Sequence, residues 1–223
     1  MSAKDIVIEA TEQLFNRKDT AIVDQVFGPV YVQHSALGAD GVDGLKVLVS
    51  SLPETAGYTL TRIIADGGLV VTEGEFTGFA PVPLTGYDVW RVVDDRIVEH
   101  WDALGAAATH SATLDVQTGG DTVAANRALV TEWVARALVS GDHRADEDYL
   151  APGAGVAYDE DLVYRTVHAV IADQDVVYTR SEGEKNGPVI INDMWRVTDG
   201  RIVEHWSLVT PVPESLPHGN GAF

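Results

Sequence analysis

The chain has 223 residues, no cysteine, and 34 acidic against 15 basic side chains, a formal net charge of −19. This composition excludes disulfides, thiolate metal sites and a cysteine nucleophile. It also argues against nucleic acid or an anionic membrane as partner, because phosphate contacts need clustered Lys and Arg. The charges are scattered, which describes a solvated, self-repelling surface. Apolar runs are short and MSAKDIVIEA carries no signal-peptide pattern, so a soluble, cytoplasmic protein is expected.

Ser2 is a plausible N-cap for a first helix, with Ile6, Val7, Ala10, Leu14 and Phe15 at helical spacing and Arg17 and Lys18 at its far end. A second short helix covers Ala21 to Phe27. Gly28-Pro29 then reads as a break before an irregular Tyr31-Val32-Gln33-His34. Gly41 to Leu52 is helical again. After Pro53 the pattern turns to strands at Tyr58–Ala65, Leu69–Phe79, Gly86–Val93 and Arg96–Leu104. Residues 107–121 are small and polar and read as a linker. A long helix at Thr122–Ser140, ended by Gly141, opens a second series. Its strands are Tyr164–Ala172, Val176–Glu184, Val189–Val197 and Arg201–Val209.

The two series are one pattern written twice. DVWRVVDDRIVEHW at 88–101 recurs as DMWRVTDGRIVEHW at 193–206. The reading is therefore two domains, 1–106 and 122–223. Each is α+β, with N-terminal helices packed on a curved antiparallel sheet around a pocket. Packing of the two as an internal pseudo-dimer is expected, with room for further homodimerisation. The segment with Pro211, Pro213, Pro217 and Phe223 is expected to be extended over a pocket mouth.

WRVVDDRIVEHWD, WRVTDGRIVEHW, the YVQH of residues 31–34 and the ending PVPESLPHGNGAF resemble the SnoaL-like polyketide-cyclase group. That group sits within the nuclear-transport-factor-2-like superfamily. The likeness runs through most of residues 5–104 and 122–223. It implies a cone-shaped α+β barrel with a deep pocket and no cofactor. The superfamily's roles range from aldol-type ring closure, isomerisation and epoxide hydrolysis to binding alone, so the fold does not settle function. The resemblance also implies catalytic roles for Asp102, at the end of the EHWD strand, and for His34. Tyr31, Asp88, Trp90 and His100 are the expected substrate-binding residues. No metal is expected, since no His pair stands at i,i+4 with a carboxylate.

A carboxylate inside an apolar pocket has its charged form disfavoured, which suits it to proton transfer at an acidic C–H beside a carbonyl. Two readings follow. One is a cofactor-independent cyclase, isomerase or hydrolase acting on a small apolar carbonyl compound. The other is a non-catalytic protein that holds a hydrophobic ligand or serves as a scaffold. Ser207 and Pro152 replace Asp102 and His34 in the second copy, and the stretch matching helix Gly41–Leu52 is missing there. That copy is expected to lack the acid/base site. Residues retained in both copies (Trp90, Arg91, Glu99, His100, Trp101) read as cross-strand packing and ion pairing. Strand alternation from a two-residue turn at Asp94-Asp95 puts Asp88 and Asp102 on opposite faces, unless a bulge shifts the phase.

Overall fold

The computed structural model describes residues 1–106, 108–109, 122–156 and 158–223. The expected linker lies almost wholly outside them. The chain divides into two compact units, Met1–Ala107 with Pro213–Phe223, and Ala108–Val212. The last eleven positions, which the sequence assigns to the second copy, therefore belong to the first unit.

In the first unit, helix α1 (Ala3–Thr11) begins at Ser2. The Ser2 hydroxyl accepts the Asp5 N–H and the Asp5 carboxylate accepts the Ser2 N–H, satisfying two donors that a helix start leaves open. A wider π-type turn, Glu12–Asn16, continues it. Helices α2 (Ala21–Val26) and α3 (Gly41–Ser51) follow. The sheet contains β1 (Phe27–Gln33), β2 (Gly57–Asp66), β3 (Leu69–Thr77), β4 (Leu84–Val93) and β5 (Arg96–Gly105) in the order β1-β5-β4-β3-β2. It is mixed rather than antiparallel, because β1 joins β5 in parallel. Ile6, Val7, Ala10 and Leu14 bury against a sheet face that includes Val70, Trp90, Val92 and Ile97. Each buried Val, Leu or Ile among them stabilises the unit by roughly 1.5–3 kcal/mol.

The second unit repeats this order. Helix α4 (Val123–Trp133) is capped by the Thr122 hydroxyl and continues through a π-type turn to Val139. Short helix α5 (Asp146–Tyr149) and strand β6 (Leu150–Gly155) come next. Then come β7 (Val163–Asp173), β8 (Val176–Glu184), β9 (Pro188–Thr198) and β10 (Arg201–Pro211), in the order β6-β10-β9-β8-β7. Among the described residues no helix lies between β6 and β7, where the first unit has α3. Among the described residues, too, no helix is long and apolar enough to cross a membrane.

The two equivalent hairpin turns differ in chemistry. Asp94 and Asp95 both hold positive φ, 48° and 59°, as do Asp199 and Gly200 at 51° and 68°. Both turns need this left-handed pair, and glycine reaches it without a Cβ clash. Copying the second turn into the first, Asp95→Gly, is expected to raise stability by about 1 kcal/mol. Chemical denaturation followed by tryptophan fluorescence reads this directly. An unchanged or lower midpoint would contradict it.

Candidate active site

The site is set by the register of the β4–β5 hairpin. Val93 faces Arg96 and Val92 faces Ile97, but Arg91 faces Glu99, so Val98 is an extra residue on β5. This bulge inverts the alternation beyond it. Asp88 now pairs directly with Asp102, and Trp90 with His100. All four line one cleft. The condition the sequence imposed on Asp88 and Asp102 is thus met.

The cleft is narrow, with a cavity volume of about 20 Å³, room for about one water. Phe15, Leu45, Leu48, Phe76, Phe79 and Leu104 supply apolar walls, while Gln33, Ser35, Asp88, His100 and Asp102 form a polar end. A few convergent polar groups in an apolar cleft are the common form of a small-molecule site.

A directed chain of hydrogen bonds runs through the polar end. Gln33 Oε1 accepts the backbone N–H of both His34 and Ser35, at 3.1 Å each, which fixes it as the oxygen. His100 Nδ1, 2.9 Å away, must therefore donate to it. His100 Nε2 lies 3.1 Å from Asp88 Oδ1, with the imidazole stacked on Trp90 at 4.0 Å between centroids. The Trp90 indole N–H donates to Thr72 Oγ1 at 3.3 Å, and that hydroxyl lies 3.5 Å from Asp88 Oδ2. Asp88 is buried, and this burial raises its pKa. The His100 contact opposes the shift, while the nearby Asp102 charge adds to it. A neutral Asp88 would donate to Nε2 and complete the chain in one direction. Asp102 is half-buried and accepts from the Ser35 hydroxyl at 2.7 Å.

His34 was expected beside Asp102 and is a correction. Alternation along β1 turns Gln33 and Ser35 to the cleft and His34 to the opposite face. There it stacks on Trp101 at 4.7 Å, and its ring nitrogens meet Glu99 Oε1 at 3.1 Å and Gly221 O at 2.9 Å. It is not among the cleft-lining residues. Tyr31 shares the face of Gln33 but is not among the cleft-lining residues: its hydroxyl accepts from Gln33 Nε2 at 3.2 Å, and burial, then the Asp102 charge, pushes the phenol well above its ordinary pKa. Gln33, Ser35 and Thr72 were missed by the sequence reading. Period-two spacing from Tyr31 was the available signal for the first two. The segment Pro213–Phe223 does not line the cleft but packs along β1.

The second unit keeps part of this arrangement. His205 Nε2 meets Asp193 Oδ1 at 2.9 Å, Trp195 stacks on His205 at 3.9 Å, and Trp195 donates to Thr179 at 3.0 Å. Tyr164 adds a hydroxyl to Asp193 Oδ2 at 3.0 Å. The partner of Asp193 across the hairpin is Ser207. Retention of the Trp–His stack fits the packing role expected for these residues. The Arg91–Glu99 and Arg196–Glu204 pairs, at 2.7 and 3.1 Å, fit the expected ion pairing.

Residues 8–100 match the model of the SnoaL-like domain. The first unit is a SnoaL-like domain. The second fits a tandem copy of it, with the same strand order and hairpin bulge. Among solved structures, the SnoaL-like unit is similar to IdmH of Streptomyces antibioticus, described as a candidate polyketide cyclase. That match has 22% identity, covers 47% of this chain and 92% of that one, and has a TM-score of 0.40. TsrD of Streptomyces laurentii matches at 16% identity, over 45% and 86% of the two chains, with a TM-score of 0.39. An epoxide hydrolase of M. tuberculosis matches at 24% identity, over 46% and 82%, with a TM-score of 0.40. No curated protein matches.

Among the described residues, Asp88, His100 and Asp102 are the group that could hold a cation, with ligand atoms within 4.8 Å of one another. Both ring nitrogens of His100 are already engaged, so a metal would have to displace its contact with Asp88.

The Asp88 shift has a signed consequence. A carboxyl whose folded pKa is raised holds its proton more tightly folded than unfolded. Its contribution is complete below the ordinary value of 3.8 and is lost as pH rises through the raised folded pKa. Asp88→Asn should therefore gain stability relative to the native chain across that window. Denaturant unfolding at a series of pH values checks this. A difference between the two proteins that does not change with pH would contradict it.

Proposed function

We propose that the first unit is a cofactor-independent acid/base enzyme acting on a small apolar carbonyl compound. The observation that carries this is the half-buried Asp102 carboxylate facing the buried Asp88–His100 pair across one apolar cleft. In this reading Asp102 takes a proton from the carbon beside the carbonyl. The electron pair moves onto the carbonyl oxygen, which takes the hydrogen bond that Asp88 and His100 otherwise make with each other, and this stabilises the enolate. Return of the proton to another carbon is isomerisation. Attack of the enolate carbon on a second carbonyl, whose oxygen takes the proton back from Asp102, is aldol closure. Ser35 holds Asp102 in place, and Gln33 sets which nitrogen of His100 faces Asp88.

A second reading is a non-catalytic ligand-binding pocket. The tandem copy favours it to one degree: the Asp–His–Trp arrangement persists beside Ser207, so it also serves the fold alone. This is why the proton-accepting role is given to Asp102, the residue that differs.

Hydrogen–deuterium exchange beside the carbonyl of small ketones, such as cyclohexanone in D₂O, tests proton abstraction without knowledge of the full reaction. The native chain is expected to accelerate exchange, and Asp102→Asn to lower that rate by about 10²- to 10⁴-fold. Equal rates in the two would remove this mechanism. Ketone binding seen by NMR with no exchange would favour the binding reading.

A further inference from the structure

We infer that the segment Pro213–Phe223 positions the first unit's site, acting through Asn220 and His218 on Gln33 and Ser35. The inference deepens the proposed function but is tested without substrate.

Gln33 and Ser35 are the two β1-side residues that hold the polar end: one receives His100 Nδ1–H, the other donates to Asp102. Their side chains face the cleft, and their carbonyls are gripped by the segment. Asn220 Nδ2 donates to Gln33 O at 2.9 Å and to Asp40 Oδ1 at 2.8 Å. The same Asp40 oxygen accepts the Gln33 N–H at 2.9 Å. Both peptide groups of Gln33 therefore close onto one Asn220–Asp40 clamp. Hydrogen bonding from Gln33 foremost lowers the Asp40 pKa and keeps it the acceptor this clamp needs.

His218 Nε2 lies 3.0 Å from Ser35 O, while its Nδ1 accepts the Asn220 N–H at 3.4 Å. A carbonyl only accepts, so Nε2 is the protonated nitrogen. Between these two grips, Gly221 O takes His34 Nδ1 at 2.9 Å. Three consecutive residues of the first unit are thus held from behind by a segment that follows the second copy in sequence. Gln33 Oε1 is tied to the backbone N–H groups of His34 and Ser35, and the Ser35 side chain is short, so a shift of this backbone moves Oε1 off His100 and Oγ off Asp102. Placement errors of about 1 Å are enough to matter at a reacting centre. Asn220 and His218 touch none of the cleft-lining carboxylates in these contacts and are positioning residues.

The test uses the full chain with ¹⁵N-labelled histidine. The readout is solvent exchange of the His100 Nδ1–H that donates to Gln33. Asn220→Asp keeps the shape and removes both donors. Loss of both donors is expected to make this exchange at least about tenfold faster. His218→Phe is expected to disturb the Asp102 side instead, shifting the Asp102 carboxyl ¹³C signal. Asn220→Ser, which keeps one donor, should fall between native and Asn220→Asp, and it serves if the harsher variant does not fold. Ser215→Ala, exposed on the same segment, should change neither signal. Native exchange in Asn220→Asp, with or without a lower melting temperature, would overturn the inference. Absence of ketone exchange in the native chain would defeat the proposed function while leaving this result standing.

Discussion

One extra residue in a β-strand decides what the first unit's cleft contains. Val98 has no partner on β4, and the strand's alternation flips beyond it. Without that flip, His100 and Asp102 would sit on the face that carries Arg91 and Val89, away from Asp88 and Trp90. With it, a buried carboxyl, an imidazole and a half-buried carboxylate converge. The displaced set, Glu99 and Trp101, forms the opposite face with Arg91 and His34. A single register shift thus sorts the IVEHWD segment into a polar cleft end and an ion-paired outer layer.

The duplication separates what the fold needs from what the cleft adds. Both units keep the bulge, the Trp–His stack and the carboxyl–imidazole contact. In both units the imidazole has a carboxyl partner and an aromatic neighbour, so the nitrogen that faces the carboxyl is not left unpaired. Among the described residues, Asp102, Ser35 and Gln33 surround that pair in the first unit alone. The functional difference therefore lies in the residues that border the shared hairpin and in the strand that pairs with its outer edge.

Most of the fold was legible because the local signals agree with it. Ser2 with Asp5, the Asp-Gly turn at Asp199-Gly200 and alternating strand patterns each name one structure, and the repeat names them twice. Strand β1 was not legible. Gly28-Pro29 reads as a break, and a parallel strand has no adjoining hairpin turn to announce it. That omission carried over to the site: with β1 read as irregular, His34 stood out, while Gln33 and Ser35 did not. The bulge was legible only as a condition, since Val98 is an ordinary strand residue and nothing in its type marks it as unpaired. The grip of Asn220 and His218 on β1 is a contact across more than 180 residues of chain, beyond any local pattern.

Neutron diffraction from crystals of the native chain locates both the side chains of this cleft and the protons between them. Asp88 and Asp102 should face one cleft, with a deuteron on His100 Nδ1 toward Gln33 and another between His100 Nε2 and Asp88 Oδ1. Carboxylates on opposite faces of the hairpin, or a His100 Nδ1 without a deuteron, would contradict this.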